Sequence, residues 1–126
     1  DTELFLRLLG HHGYEVHILT LGTNWFQKAK IEGAGLLQFI SGYTVTQDPD
    51  KTSAIKNICD PGVDDVFIFD DYYGVIDAVK KNFPQIVAIH MQRREEYLKH
   101  QALLADAFAR NLEEAMGAFL HYQTLR

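Results

Sequence analysis

The stretch VFIFDDYYGVIDAVKK, residues 66–81, decides how this chain is expected to fold. Its first four residues are all apolar, which predicts a strand that is buried on both faces. That strand ends in two adjacent carboxylates, Asp70 and Asp71, and a helical apolar pattern begins directly after them. Two neighbouring negative charges at the tip of a buried strand suit either a bound metal ion or the capping of the helix that follows.

The rest of the chain repeats this alternation of strand and helix. Strand patterns are read at residues 14–20, 43–46, 65–70 and 85–91, and helical patterns at residues 2–12, 24–35, 51–59 and 75–83. Strands that alternate with helices predict an α/β fold with a parallel sheet.

A longer helical pattern occupies the C-terminal quarter of the chain. Apolar residues recur at intervals of three and four at Leu104, Phe108, Leu112, Ala115, Phe119 and Tyr122. This spacing predicts one long C-terminal helix over residues 93–122. We therefore divide the chain into an α/β core, residues 1–92, and a C-terminal helical extension, residues 93–126. The apolar face of the helix either covers the core or binds a partner or a second copy of the chain.

Composition narrows the class of protein. The chain has 126 residues, of which 47% are apolar, as expected for a folded domain. Its net charge of −5 argues against general binding to nucleic acid. Cys59 is the only cysteine, which excludes a disulfide framework and predicts a cytoplasmic protein. No apolar run approaches the ~20 residues that a membrane-spanning helix needs.

Polar residues suited to phosphate chemistry stand at or near the predicted strand ends, where ligands bind in open α/β sheets. Thr20 closes the first strand and is followed by Leu21 and Gly22, whereas Lys51 opens a helix after a turn. A hydroxyl, a backbone N–H and a Lys bind phosphate oxygens, and carboxylates such as Asp70 and Asp71 hold Mg²⁺. Each residue also has an ordinary structural interpretation, as a strand end, a solvated Lys or a helix cap.

Taken in order, three motifs resemble the haloacid dehalogenase-like hydrolase superfamily, whose members are mostly phosphatases. They are VHILTLG at residues 16–22, DPDKTSAI at residues 48–55 and VFIFDDYYGVIDAVKK, and GLLQFISGYTV at residues 35–45 is similar to the linker between the first two. The resemblance covers residues 1–92. It implies a three-layer Rossmann-like parallel sheet and Mg²⁺-dependent hydrolysis of a small-molecule phosphate ester.

The resemblance also assigns roles to individual residues. Thr20, with the backbone of Leu21 and Gly22, would bind the transferring phosphoryl group, and Lys51 would steady that group and the nucleophile. Asp71 would bind Mg²⁺ directly, and Asp70 would assist it. One position departs from the family pattern: Val75 stands where a second Asp or Asn is often found, and Asp77 is nearby in another register.

A larger departure concerns the nucleophile. In the superfamily it is the first Asp of an Asp-x-Asp pattern that follows an earlier strand, and it forms an aspartyl-phosphate. The pattern occurs in this chain only at residues 48–50, before Lys51. We therefore expect the nucleophile on a segment outside this chain, and we expect these 126 residues alone to be inactive.

The missing strand has a structural consequence. In the superfamily the nucleophile strand lies between the strands that here end at Thr20 and Asp70, so we expect two separate half-sheets.

The alternative function is a non-catalytic interaction or structural module, with a partner or a second copy bound through helix 93–122. An Asp-x-Asp pattern upstream of Asp1 would favour the enzyme.

Overall fold

The computed structural model describes residues 2–22, 30–93 and 100–125. The chain divides into two compact units, Asp1–Ile58 and Cys59–Arg126. None of the helices in the described ranges combines the length and the apolar character that a membrane crossing requires.

The order of elements confirms the predicted α/β class. The first unit contains helix α1 (Thr2–His11), strand β1 (His17–Leu21), a 3₁₀ turn (Leu37–Phe39), strand β2 (Gly42–Thr46) and helix α2 (Thr52–Ile58). The second unit contains strand β3 (Phe67–Asp70), helix α3 (Tyr73–Asn82), strands β4 (Val87–Met91) and β5 (Ala107–Ala109), and helix α4 (Leu112–Thr124). Most of the helix predicted at residues 24–35 lies outside the described residues, although residues 30–33 are helical.

The first unit is built on a two-stranded parallel sheet. β1 pairs with β2 in a register that sets Thr20 opposite Val45. The ring of His17 also reaches across the pair, with Nε2 2.9 Å from Oγ1 of Thr44. The two strands therefore end together, and their carboxyl ends form one edge of this sheet.

The second unit is built on a three-stranded parallel sheet in which β4 is central and buried along its whole length. The ring of Phe67 in β3 lies 4.9 Å from that of Phe119 in α4. The next residue, Ile68, packs against a cluster that includes Ile76 of α3 and Ala88 of β4. Because successive side chains of a strand point to opposite faces, both faces of β3 pack against its own unit, although all four of its residues are only half-buried.

The strands form two sheets rather than one. Within the described residues β1 pairs only with β2, and β3 pairs only with β4. The expected separation into two sheets is therefore confirmed for the described residues, in which β1 and β3 are both edge strands. That the two sheets are halves of one interrupted sheet stays a prediction.

The prediction of a single helix over residues 93–122 is wrong. Residues 100–111 are not helical, and Ala107–Ala109 instead forms β5, which pairs with β4. α4 begins only at Leu112, because Oδ1 of Asn111 accepts the N–H of Glu114 at 2.8 Å. The Glu114 carboxylate in turn accepts the N–H of Arg110 at 2.8 Å, a reciprocal arrangement similar to a capping box.

Because the helix is shorter than predicted, the apolar residues that were expected to form one helix face lie in different environments. Ala115 and Phe119 are completely buried within the second unit, so this part of the stripe covers the unit's own sheet. Leu104 and Phe108 lie outside the helix and are more than two-fifths exposed. The predicted division of the chain at residue 92 stays a prediction.

Candidate functional site

The two carboxylates that end β3 occupy different environments. Asp70 pairs in register with His90 of β4, and its Oδ1 accepts a hydrogen bond from the backbone N–H of Tyr72 at 2.8 Å. The side chain of Asp71 is exposed and accepts no hydrogen bond from the described residues. Asp70 is therefore engaged with its own backbone, whereas Asp71 has oxygens to offer to a cation.

A buried histidine lies beneath this pair. The side chain of His90 is completely buried, and its Nε2 lies 3.0 Å from the carbonyl oxygen of Asp71. Its Nδ1 accepts the backbone N–H of Ala102 at 3.3 Å. Sequence reasoning assigned His90 no role, although one signal was present: it is the single ionisable residue in the apolar strand QIVAIHM.

Aromatic side chains follow the carboxylates along the chain. The rings of Tyr72 and Tyr73 meet edge to face at 5.1 Å, and Tyr73 stacks on His100 at 5.5 Å. Both tyrosines are partly exposed, at 49% and 39%. They form a partly exposed aromatic surface directly after Asp71 in the chain.

Val75 and Asp77 stand in the region where the superfamily often supplies a further acidic or amide side chain. Val75 is buried in the core of the second unit. Both carboxylate oxygens of Asp77 accept backbone N–H groups, Oδ1 from Leu104 at 2.8 Å and Oδ2 from Leu103 at 3.2 Å. Asp77 therefore holds the chain segment that precedes β5.

In the first unit, Thr20 is a half-buried residue of β1, one position before the strand ends. Gly22 follows with a positive φ of 145°, a conformation that favours glycine. Its N–H donates to the carbonyl of Thr46 at 3.0 Å. The Gly22 N–H is thus directed at β2 in this conformation, and phosphate binding by Thr20 and the Leu21 backbone stays a prediction.

Lys51 is positioned by a series of short turns that begins where β2 ends. The Thr46 hydroxyl accepts the N–H of Asp48 at 3.1 Å, and Oδ1 of Asp48 accepts the N–H of Asp50 at 2.9 Å. Oδ1 of Asp50 then accepts both the hydroxyl and the N–H of Thr52, at 2.7 and 3.0 Å. Lys51 lies inside the last of these turns and directly precedes α2, as the sequence predicted.

The hydrogen bonds from Thr52 also affect the acidity of Asp50. The bond from the hydroxyl, followed by the bond from the N–H, lowers the pKa of this carboxyl below its ordinary value. Asp50 is therefore ionised beside Lys51 at neutral pH.

Each unit places its predicted residues at the carboxyl end of its own parallel sheet. Thr20 lies at this edge of the first sheet, opposite Val45, and the loop that carries Lys51 starts at the same edge, where the Thr46 hydroxyl accepts the N–H of Asp48. Asp70 and Asp71 lie at the same kind of edge in the second sheet. The joining of all four residues into one site stays a prediction.

The acidic pair is compatible with Mg²⁺ but does not make a complete protein site. Within the described ranges, no group of three or more His, Cys, Asp or Glu side chains is arranged to hold a metal ion. Mg²⁺ commonly takes only one or two carboxylates and completes its shell with water and substrate phosphate. The exposed carboxylate of Asp71 fits that mode of binding.

Comparison with known proteins does not assign the chain to a family. No protein-family model matches it, and no curated protein shows significant similarity to it. The resemblance to the haloacid dehalogenase-like superfamily therefore stays a prediction that rests on the sequence motifs.

Proposed function

We propose that this chain is part of a Mg²⁺-dependent phosphatase of the haloacid dehalogenase-like superfamily, acting on a small-molecule phosphate ester. One observation carries the proposal. The Thr, the Lys and the acidic pair follow one another in the superfamily's order, and each lies at or after the carboxyl end of a parallel strand. A three-layer Rossmann-like arrangement of the whole sheet and a cytoplasmic location belong to the same proposal.

The residues of the first unit would handle the phosphoryl group. The hydroxyl of Thr20 donates a hydrogen bond to one phosphoryl oxygen, and the ammonium group of Lys51 neutralises charge on the others. Both contacts strengthen as negative charge accumulates on the phosphoryl oxygens during transfer, so they favour the transition state over the bound ester. The turns from Thr46 to Thr52 support this role, because they hold Lys51 at a defined point of the loop.

The residues of the second unit would hold the metal ion. Asp71 would coordinate Mg²⁺ directly through its exposed carboxylate, while Asp70 keeps the backbone turn in place through its bond to Tyr72. Mg²⁺ bound there would offset the charge of the phosphate and of the carboxylates around it. In this assignment the two acidic residues have separate tasks, one in binding the ion and one in shaping the loop.

The nucleophile of the proposed reaction is a carboxylate on a segment outside this chain. Its oxygen attacks phosphorus and displaces the alcohol of the ester, which leaves an aspartyl-phosphate that water then hydrolyses. The separation of the strands into two sheets, with β1 and β3 at sheet edges, supports this view.

The test is an assay of the complete gene product, including any residues that precede Asp1. We expect p-nitrophenyl phosphate to be hydrolysed in the presence of Mg²⁺, and Asp71→Asn to lower turnover by about 100-fold. Glu113→Gln is the matched control, because it removes one exposed carboxylate from the first turn of α4. Absence of Mg²⁺-dependent turnover, or equal turnover in the two variants, would contradict the proposal.

The second candidate is a non-catalytic module of the same fold. It is favoured by Val75, which is buried, and by Asp77, whose two oxygens are both engaged with the backbone. Under this candidate the complete protein binds a partner or a second copy and has no Mg²⁺-dependent turnover. The phosphatase assay therefore separates the two functions.

A further inference from the structure

The strongest unassigned feature of the second unit is the buried imidazole of His90. Its two ring nitrogens each meet a backbone group, the carbonyl oxygen of Asp71 at Nε2 and the N–H of Ala102 at Nδ1. The ring of Phe108 lies 5.7 Å away and closes one side of the environment. Burial of a polar ring destabilises the fold unless its nitrogens form hydrogen bonds. Here both ring nitrogens have a hydrogen-bond partner.

These two partners indicate which ring nitrogen donates and which accepts a hydrogen bond. A carbonyl oxygen only accepts and a backbone N–H only donates, so Nε2 carries the proton and Nδ1 presents a lone pair. The two contacts therefore favour a single tautomer of His90. The same tautomer joins the end of β3 to the segment that leads into β5.

The peptide group between Asp71 and Tyr72 takes part in two hydrogen bonds, one of them with the ring of His90. The carbonyl of Asp71 and the N–H of Tyr72 belong to one peptide unit, and the N–H is bound by Oδ1 of Asp70. Both polar groups of this peptide are thus held, which fixes its plane and with it the backbone torsion that orients the Asp71 side chain. The exposed carboxylate of Asp71 is therefore carried on a restrained backbone.

We propose that His90 is a positioning residue for the Asp71 carboxylate, acting through the Asp71–Tyr72 peptide. This inference rests on the proposed function, in which Asp71 binds Mg²⁺. The two hydrogen bonds of the ring should therefore have different effects. Loss of the donor at Nε2 should weaken Mg²⁺ binding, whereas loss of the acceptor at Nδ1 should affect only the segment around Ala102.

Two amide variants separate these contributions. In His90→Gln the amide nitrogen extends to about the position of Nε2 and is able to donate to the Asp71 carbonyl. In His90→Asn the shorter amide ends at about the position of Nδ1, where its oxygen is able to accept from Ala102. Each variant keeps one hydrogen bond and loses the other, so the pair is matched for burial and polarity.

The experiment measures the Mg²⁺ concentration for half-maximal hydrolysis of p-nitrophenyl phosphate by the complete gene product. We expect His90→Asn to raise it by about 10-fold and His90→Gln to leave it near the wild-type value. Thermal unfolding of both variants establishes that they are folded at the assay temperature. Equal values for the two folded variants would overturn the positioning role while leaving the phosphatase intact.

A readout on the wild-type protein keeps the proposal testable if either variant fails to fold. Long-range ¹⁵N–¹H spectra should show His90 protonated at Nε2, and addition of Mg²⁺ should shift its Nε2 resonance. His121, in the last turn of α4, is the internal control. The opposite tautomer, or an unchanged Nε2 resonance at saturating Mg²⁺, would overturn the role of His90. A wild-type protein without Asp71-dependent Mg²⁺ activation would instead remove the proposed function itself and this inference with it.

Discussion

The carboxylate of Asp70 accepts a hydrogen bond from the backbone N–H of Tyr72, 2.8 Å from Oδ1, at the point where β3 gives way to α3. This hydrogen bond shows that the two adjacent carboxylates, Asp70 and Asp71, have different roles in the fold. Asp70 serves the turn, and Asp71 projects into solvent.

The division predicts that substitutions at these two adjacent positions change stability by different amounts. Asp70→Ala should lower the free energy of unfolding by about 1 kcal/mol, because the Tyr72 N–H loses its acceptor. Asp70→Asn keeps an acceptor oxygen and should be close to wild type. Asp71→Asn should leave stability within about 0.5 kcal/mol of wild type, since its side chain is exposed. Denaturant unfolding of the three variants measures these differences, and equal losses for Asp70→Ala and Asp71→Asn would contradict the division.

Asp50 predicts a specific dependence of stability on pH. The hydroxyl and then the N–H of Thr52 lower the pKa of this carboxyl from its ordinary value of 3.8. A folded-state pKa below the unfolded value stabilises the fold at pH values above 3.8, and this contribution is lost as pH falls through the lowered value. Asp50→Asn keeps an acceptor but does not titrate.

The measurement is the free energy of unfolding of wild type and Asp50→Asn between pH 7 and about pH 2. The difference between the two proteins should be constant above pH 5 and should shrink as the medium becomes more acidic. A difference that stays the same throughout would show that ionised Asp50 gains nothing from Thr52 in the folded state.

Gln92 carries a buried polar atom without a hydrogen-bond partner among the described residues. Its Nε2 is enclosed although the residue directly follows β4. Gln92→Met replaces the amide by an apolar chain of similar length, so we expect the free energy of unfolding to rise by about 1 kcal/mol. Gln92→Glu is the contrasting variant, because it places a charge at the same atom and should destabilise the fold. A loss of stability in Gln92→Met would mean that the amide is satisfied in solution.

Substitution of the N-cap residue Asn111 tests whether α4 begins at Leu112. Asn111→Ala should lower the free energy of unfolding by about 1 kcal/mol, because the N–H of Glu114 loses its acceptor. Asn111→Asp retains an acceptor at that position and should be nearly neutral. If a continuous helix ran through residue 111, alanine would instead stabilise it, so the sign of the change decides between the two structures.

Local pattern was a reliable guide to most of the elements. The apolar runs that end at Thr20 and Asp70 formed strands, and the turn before Lys51 led into a helix. These elements follow from short-range chemistry: strand patterns, turn residues and carboxylates that accept nearby N–H groups. The placement of Thr20 and the acidic pair at strand ends, and of Lys51 directly before a helix, could therefore be predicted.

The prediction from local pattern was wrong in the C-terminal segment, where pairing with a strand distant in sequence outweighed the helical spacing. Residues 104–112 carry helical spacing, but Ala107–Ala109 pairs with β4 and completes the second sheet. The reciprocal hydrogen bonds between residues 110–111 and Glu114 then set the helix start. Spacing within a segment carries no information about the backbone partners that a neighbouring strand offers.

The amino-acid sequence by itself determined the alternation of strands and helices and the chemistry available at the strand ends, because both depend on residues close together in the chain. Only the tertiary structure decided that residues 107–109 form a strand and that Asp70 and Asp71 differ. It alone brought His90 to the Asp71 carbonyl, 19 positions away in the chain. The physical reason is that a buried donor or acceptor must find its partner in space, and that partner is set by how the strands pair.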